Sequence, residues 1–373
     1  MKNVSKLYFI TLLVIIVCPA FAQSEGDFNV DLTNDGSGVV ITGYTGRQQA
    51  ITIPAKIQGY PVKEIRNEAF SLERYIVRIP PYFEERILVE KRTNTRLTSV
   101  TLPTSLVTIG KGAFYEQSSL TSINIPASVT SIGDYAFSGC SSLAAINIPA
   151  SVTSIGDYAF SGCSSLAAVN IPASVTSIGD EAFFECSKLA TVNFSEGLVK
   201  IGGSAFSGCN ALKTIKLPNS LTELGNDVFT GSGLTAVTLG TGLTYIPSGA
   251  FSSTSIITIV IPEGVTGILG YAFSNCTALT SVTLPSTLVE IRAQAFSGCS
   301  ALTTITVPAA LTSVKFGDEF TLFDGWGNSD TIRNGVFDGC EKLLLATRAA
   351  LKKLGWNGEP VTKTWQPAPD KRR

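Results

Sequence analysis

The strongest constraint on this chain is a stretch of 23 residues that occurs twice in succession. PASVTSIGDYAFSGCSSLAAINI (126–148) is followed at once by PASVTSIGDYAFSGCSSLAAVNI (149–171), and the two copies differ only at Ile146 and Val169. Weaker copies continue on both sides. A fixed period of this length predicts an array in which each unit packs only on its neighbours. We therefore expect one elongated domain rather than two or three globular ones.

Each unit combines a short strand with a return segment that ends in an Ala-Phe pair. Ile123 and Ile125 alternate with Asn124, as in a strand with one buried face, and Pro126 ends that strand because it has no N–H. One unit buries too few side chains to offset its own ordering entropy, so the units must fold together. The phenylalanines recur at intervals of 22 or 23 residues, apart from one interval of 44 and one of 41, at positions 70, 114, 137, 160, 183, 206, 229, 251, 273, 296 and 337.

These motifs resemble the BspA-like type of leucine-rich repeat, a 23-residue class found in surface proteins of host-associated bacteria. LTSINIPASVTSIGDYAFSGCSS (120–142) carries the strand, the turn, Ala-Phe and Gly-Cys at fixed offsets, and the resemblance extends over residues 39–355. The resemblance implies an α/β-type repeat solenoid, curved and right-handed, with short parallel strands on the concave face. It also implies a role in adhesion or protein binding, but it does not identify the ligand.

The N-terminus predicts export. Residues 1–22 contain Lys2 and Lys6, an apolar run of about eleven residues and an A-x-A site ending at Ala22, which together are typical of a signal peptide cleaved after Ala22,. The apolar run is shorter than the roughly twenty residues of a transmembrane helix. An alternative is that Cys18 becomes a lipid-modified first residue. Both interpretations predict a secreted or cell-surface protein without a transmembrane span.

The remaining boundaries follow from where the period starts, breaks and ends. We assign residues 23–45 to an N-terminal leader or cap and 46–340 to the solenoid. Within it, the charged segment 71–96 is either a degenerate repeat or an insertion. Helical periodicity predicts a C-terminal cap helix within 341–357, and the Pro-rich, basic residues 358–373 are predicted to be disordered.

A second insertion, 315–331, lies between the last two phenylalanines of the series. Insertions in a solenoid emerge as loops on one face, often the binding face. Phe320, Phe323 and Trp326 are therefore candidate contacts for a partner, although they could equally fold back over the last repeat. The acidic residues of this loop do not follow the spacing of a calcium-binding EF-hand.

Composition argues against several classes of function. The chain contains no histidine, which removes the commonest general base and most zinc sites,. A net charge of −1 gives no reason to expect nucleic acid as a partner,. We expect no enzymatic activity, no metal and no cofactor. Seven cysteines follow residue 23, all at one position of the repeat; side chains stacked side by side suit disulfides poorly, so buried free thiols are expected,.

The outward strand position forms a stripe along the predicted concave face. Its candidate binding residues are Asn124, Asn147, Asn170, Asn193 and Lys216, whose amides and ammonium group could contact a protein or glycan ligand of the extracellular matrix or of another cell. The alternative is that these residues merely suit stacked strands. For the whole protein, the alternative function is a self-associating structural or coat component. Light scattering at increasing concentration distinguishes the two, and the sequence leaves the oligomeric state open.

Overall fold

A computed structural model describes residues 24–71, 75–77, 87–89, 96–316, 319–323, 329–333 and 335–356. For 75–77, 87–89, 319–323 and 329–333 it describes the backbone alone. The predicted signal peptide, Cys18, Trp326 and the tail 358–373 lie outside the described residues.

The solenoid has about 11 turns, and each turn contributes one strand to a first row. All hydrogen-bonded neighbours in this row are parallel, and they pair position for position, as in Asn124 opposite Asn147. Proline or another strand-ending residue keeps these strands to three or four residues. The row consists of β3 (Ala50–Thr52), β8 (Ser99–Thr101), β10 (Ser122–Asn124), β12 (Ala145–Asn147), β14 (Ala168–Ile171), β16 (Thr191–Phe194), β18 (Thr214–Lys216), β20 (Ala236–Thr238), β22 (Thr258–Val260), β24 (Ser281–Thr283) and β26 (Thr304–Thr306).

A second row of strands runs along the return segment. The sequence predicts only a turn there, but the backbone forms parallel pairs such as Ile132 opposite Ile155. Nearly all of these strands have two residues: β5 (Tyr60–Ile65), β9 (Thr108–Ile109), β11 (Ser131–Ile132), β13 (Ser154–Ile155), β15 (Ser177–Ile178), β17 (Lys200–Ile201), β19 (Glu223–Leu224), β21 (Tyr245–Ile246), β23 (Gly267–Ile268), β25 (Glu290–Ile291) and β27 (Lys315–Phe316).

Antiparallel pairs occur at the N-terminus and in the two insertions. A 3-10 helix (Glu25–Asp27) precedes β1 (Phe28–Leu32), which pairs with β2 (Val39–Tyr44), and β4 (Lys56–Ile57) pairs with β5. The insertions contain the hairpins β6 (Tyr75–Val77) with β7 (Ile87–Val89), and β28 (Glu319–Phe323) with β29 (Ser329–Arg333).

The first insertion adds no turn to the solenoid. β3 pairs directly with β8, and the ring of Phe70 stacks on that of Phe114 with centroids 5.2 Å apart. The turns before and after the segment are therefore immediate neighbours. An interval of nearly two repeats is here an insertion and not a degenerate repeat.

A column of aromatic rings forms the centre of the core. Its eleven phenylalanines are fully buried. Successive rings are stacked with centroids 5.2–5.6 Å apart and planes inclined by 4–15°. Phe28 and Tyr44 extend the column at the N-terminal end. At the other end Trp356 packs edge-on against Phe337 at 5.4 Å. The column therefore runs from one end of the described solenoid to the other.

The seven cysteines form a second buried column and are free thiols, as the sequence predicts. Each Sγ donates a hydrogen bond to the carbonyl of a phenylalanine in the preceding turn, over 3.0–3.3 Å. Gln117 takes over this role in an early turn, where its Nε2 donates to the Phe70 carbonyl. The repeated cysteine is therefore a buried donor as well as a small apolar side chain.

The C-terminal end is covered by helix α1 (Leu345–Lys353), shorter than the predicted 341–357. Thr347 Oγ1 donates to the Thr303 carbonyl at 3.4 Å, and Val314 N donates to the Leu354 carbonyl at 3.0 Å. These contacts attach the helix to the last strands of both rows. In the part of the chain that the structure describes, no helix is long and apolar enough to cross a membrane.

The glycine that ends each early second-row strand allows the turns to approach one another. A Cβ on Gly202 would lie 2.5 Å from Asp180 N and from the Gly179 carbonyl carbon, whereas one on Gly203 would meet its nearest atom at 3.4 Å. We expect Gly202→Ala to lower the free energy of unfolding by about 1–3 kcal/mol, because backbone atoms must move. Gly203→Ala should change it by less than about 0.5 kcal/mol. Urea denaturation of the two variants checks this; equal effects would contradict it.

Candidate binding surface

The first-row strands present one continuous outer face. In each strand the middle residue enters the core and its two neighbours point outward, so that Ile123 is buried while Ser122 and Asn124 are exposed. We call the outward residues the strand face. They are Ala50, Thr52, Ser99, Thr101, Ser122, Asn124, Ala145, Asn147, Ala168, Asn170, Thr191, Asn193, Thr214, Lys216, Ala236, Thr238, Thr258, Val260, Ser281, Thr283, Thr304 and Thr306.

The four predicted asparagines stack within this face, all of them exposed. Asn124 is in register with Asn147, and Asn170 is in register with Asn193. Asn193 Nδ2 donates to Asn170 Oδ1 at 2.8 Å. That bond occupies one donor and one acceptor, and each primary amide has further donor and acceptor capacity. The stack can therefore stabilise the strands and still offer hydrogen bonds to a partner.

Charge and exposed apolar area on this face are concentrated at one place. Lys216 is the only charged residue of the strand face, and Lys213 lies just before the same strand, with its Nζ donating to the Asn210 carbonyl at 3.2 Å. Two turns further on, Ile257 is 52% exposed and Val260 is 64% exposed. A pair of cations thus lies close to a pair of aliphatic side chains on an otherwise neutral surface.

Lys213 and Ile257 are contacts that the sequence analysis missed. Both stand one position before a strand, where most turns carry the small residues Thr or Ala. A lysine and an isoleucine in that column are the signal that could have identified them.

The predicted aromatic contacts of the second insertion are only partly described. Phe320 and Phe323 belong to β28, whose backbone pairs antiparallel with β29, and Trp326 lies outside the described residues. The asparagines and Lys216 therefore share one face, whereas the relation of the aromatic side chains to that face stays a prediction.

The described residues contain no group of three or more His, Cys, Asp or Glu that could hold a metal ion. The buried thiols are also poorly suited to nucleophilic chemistry. Burial raises the pKa of Cys209 to about 12, and it raises the pKa of Cys140, Cys163 and Cys186 well above the usual thiol range. Because the thiolate is the nucleophile and these thiols stay protonated, binding is the chemistry that this architecture offers.

Comparison with known proteins places the repeats in a described class. The model of the BspA type leucine rich repeat region matches in six copies over residues 92–213 and 199–318. No curated protein matches the chain.

Similar solved structures come from several bacteria. A leucine rich cell surface protein from Faecalibacterium prausnitzii is 26% identical, with 76% of this chain and 94% of that chain covered and a TM-score of 0.37. A leucine-rich repeat protein from Bacteroides ovatus is 24% identical, with 78% and 88% covered and a TM-score of 0.36. The pneumococcal vaccine antigen PcpA is 20% identical, with 85% and 80% covered and a TM-score of 0.47.

Proposed function

Because the chain belongs to the family of BspA-type leucine-rich repeat proteins, we propose that it is an exported, non-enzymatic protein that binds a protein partner at a cell surface through its strand face. Adhesion to another cell or to extracellular matrix is the role that fits such a protein. The predicted signal peptide, residues 1–22, supports export,.

The observation that carries the proposal is the uniformity of the strand face. Twenty-two outward residues on eleven strands include one charge and no side chain larger than lysine. Such a face has little conformational entropy to lose on binding, because its side chains are short and its backbone is held in the parallel ladders. A long partner segment can therefore contact many turns at once.

The local features of this face favour a particular chemistry in the partner. Lys213 and Lys216 would attract a carboxylate, and Ile257 and Val260 would pack against an apolar side chain,. The partner segment that fits combines an acidic residue with aliphatic or aromatic residues two solenoid turns away. The asparagines Asn124, Asn147, Asn170 and Asn193 would supply further hydrogen bonds to its backbone.

The test compares two arginine pairs placed in the same turns of the solenoid. Asn147→Arg with Asn170→Arg adds bulk and charge to the strand face, whereas Thr153→Arg with Thr176→Arg adds them to exposed positions beside the second row. In a solid-phase screen against extracellular matrix proteins, we expect the asparagine pair to weaken binding at least tenfold and the threonine pair to leave it unchanged. Thermal unfolding should give similar midpoints for both pairs.

An equal loss for both pairs, or no loss for either, would contradict the proposal. If binding survives the asparagine pair, substitutions of Phe320, Phe323 and Trp326 would test the second insertion as the contact region instead.

A further inference from the structure

The second row of strands is interrupted at one place between β5 and β27. It is hydrogen-bonded from turn to turn up to β19 and again from β21, but β19 and β21 do not pair. In the preceding turn Gly225 N donates to the Ile201 carbonyl at 2.8 Å. The equivalent position one turn later is Pro247, which has no N–H to donate to the Leu224 carbonyl. Proline at this position accounts for the interruption.

A cleft of about 570 Å³ lies at the interruption. Its lining includes Gly202, Gly203 and Gly225, whose lack of side chains leaves room beside the backbone. Pro247 and Leu269 add apolar surface. The volume lies within the range of about 300–1,000 Å³ that small-ligand sites occupy.

Tyr245 provides a firmly placed aromatic surface in this cleft. Its ring is 47% exposed and packs over Gly267, the residue that it faces in β23. A Cβ on Gly267 would lie 2.7 Å from Tyr245 Cδ1, so the ring rests against the neighbouring backbone. In other turns the Gly267 position carries serine, lysine or glutamate. The glycine here permits the ring to lie flat on the solenoid.

The polar groups of the cleft are rich in both donors and acceptors. Asp180 Oδ1 accepts the Gly203 N–H at 2.7 Å, which fixes the carboxylate, and Lys200 Nζ lies 3.8 Å from Glu223 Oε2. Thr222, Asn226 and Thr244 complete the polar lining. Two carboxylates against one ammonium group disfavour an anionic ligand. The set suits an uncharged molecule with many hydroxyl groups.

We propose that this cleft binds a neutral glycan, with one sugar ring packed against Tyr245. The C–H face of a pyranose is apolar and flat, which suits the exposed ring of a tyrosine. Its hydroxyl groups both donate and accept, so that they can bond to carboxylate, amide, ammonium and hydroxyl groups together. The cleft belongs to the second row and not to the strand face, so that a glycan and a protein partner would occupy separate surfaces.

Tyr245→Ala is the test, with Tyr271→Ala as its matched control. Both side chains are 47% exposed, but only Tyr245 lines the cleft. Saturation-transfer difference NMR of the full chain with lactose, cellobiose and N,N′-diacetylchitobiose should detect binding of at least one disaccharide. We expect Tyr245→Ala to weaken that binding at least tenfold, Tyr245→Phe to retain it and Tyr271→Ala to leave it unchanged.

The result that overturns the proposal is an absence of transfer to all three disaccharides, or equal losses for the alanine variants of Tyr245 and Tyr271. The arginine pair at Asn147 and Asn170 should keep disaccharide binding, since the strand face lies on the other row. Failure of the strand-face test and failure of the cleft test are thus independent.

Discussion

Phe183→Ala should lower the free energy of unfolding by about 3–5 kcal/mol, the range for removing a fully buried phenylalanine. The Phe183 ring stacks on Phe160 at 5.3 Å and on Phe206 at 5.2 Å. Alanine would remove both contacts at once and leave a cavity between two turns. Neighbouring turns cannot close this cavity, because the parallel ladders on both sides fix their separation. Urea denaturation followed by far-ultraviolet circular dichroism measures the change.

Phe184→Ala is the matched control for this prediction. Phe184 is the next residue in the chain, but its side chain is half-buried and outside the ring column. We expect less than about 1.5 kcal/mol of destabilisation from its loss. Trp356 is buried against Phe337 at the C-terminal end, so its fluorescence reports on that end of the solenoid. If Phe183→Ala cost no more than Phe184→Ala, the ring column would not be the main support of the core.

The sequence predicts the repeating part of this fold well, for a physical reason. A residue that recurs at one position must satisfy the same environment in every turn, so a mistaken assignment at one copy is corrected by the others. Ile123, Ala136 and Phe137 are buried as their pattern predicts. The family assignment rests on the same repetition.

Roles that depend on contact between turns are harder to predict. Gly133 was expected to permit a turn, but a Cβ there would lie 2.8 Å from Lys111 N, so the glycine serves close stacking. The left-handed backbone positions of the turn are occupied by Tyr135 and Gly139. Similarly, the hydrogen bond from Cys140 Sγ to the Phe114 carbonyl joins two turns, and no spacing within one repeat indicates it.

The candidate site divides along the same line. The outward positions of Asn147 and Asn170 follow from strand alternation, and the structure places both on the exposed side. The cleft beside Tyr245 was missed because it arises from a departure, Pro247 in place of a glycine. A single substituted residue within a repeat reads as ordinary drift until the missing hydrogen bond is placed in three dimensions.

Four of the buried thiols make the stability of this protein depend on alkaline pH. Burial raises the pKa of Cys140, Cys163, Cys186 and Cys209, and for Cys209 the value is about 12. In the unfolded chain a thiol has a pKa of about 8.5. Between these values the unfolded chain loses protons that the folded chain retains. The stabilisation is therefore complete below about pH 8.5 and is lost as the pH rises.

We expect the free energy of unfolding to fall by about 1.4 kcal/mol per pH unit for each of these thiols above about pH 9, and by about 5 kcal/mol per pH unit for the four together. Urea denaturation at intervals from pH 8 to pH 10.5 measures this slope. Cys186→Ala with Cys209→Ala should halve it, because two of the four thiols remain. A thiol reagent at pH 8 should react with these cysteines only after unfolding. A flat profile across this range, or rapid labelling of the native protein, would show that the cysteine column is open to water.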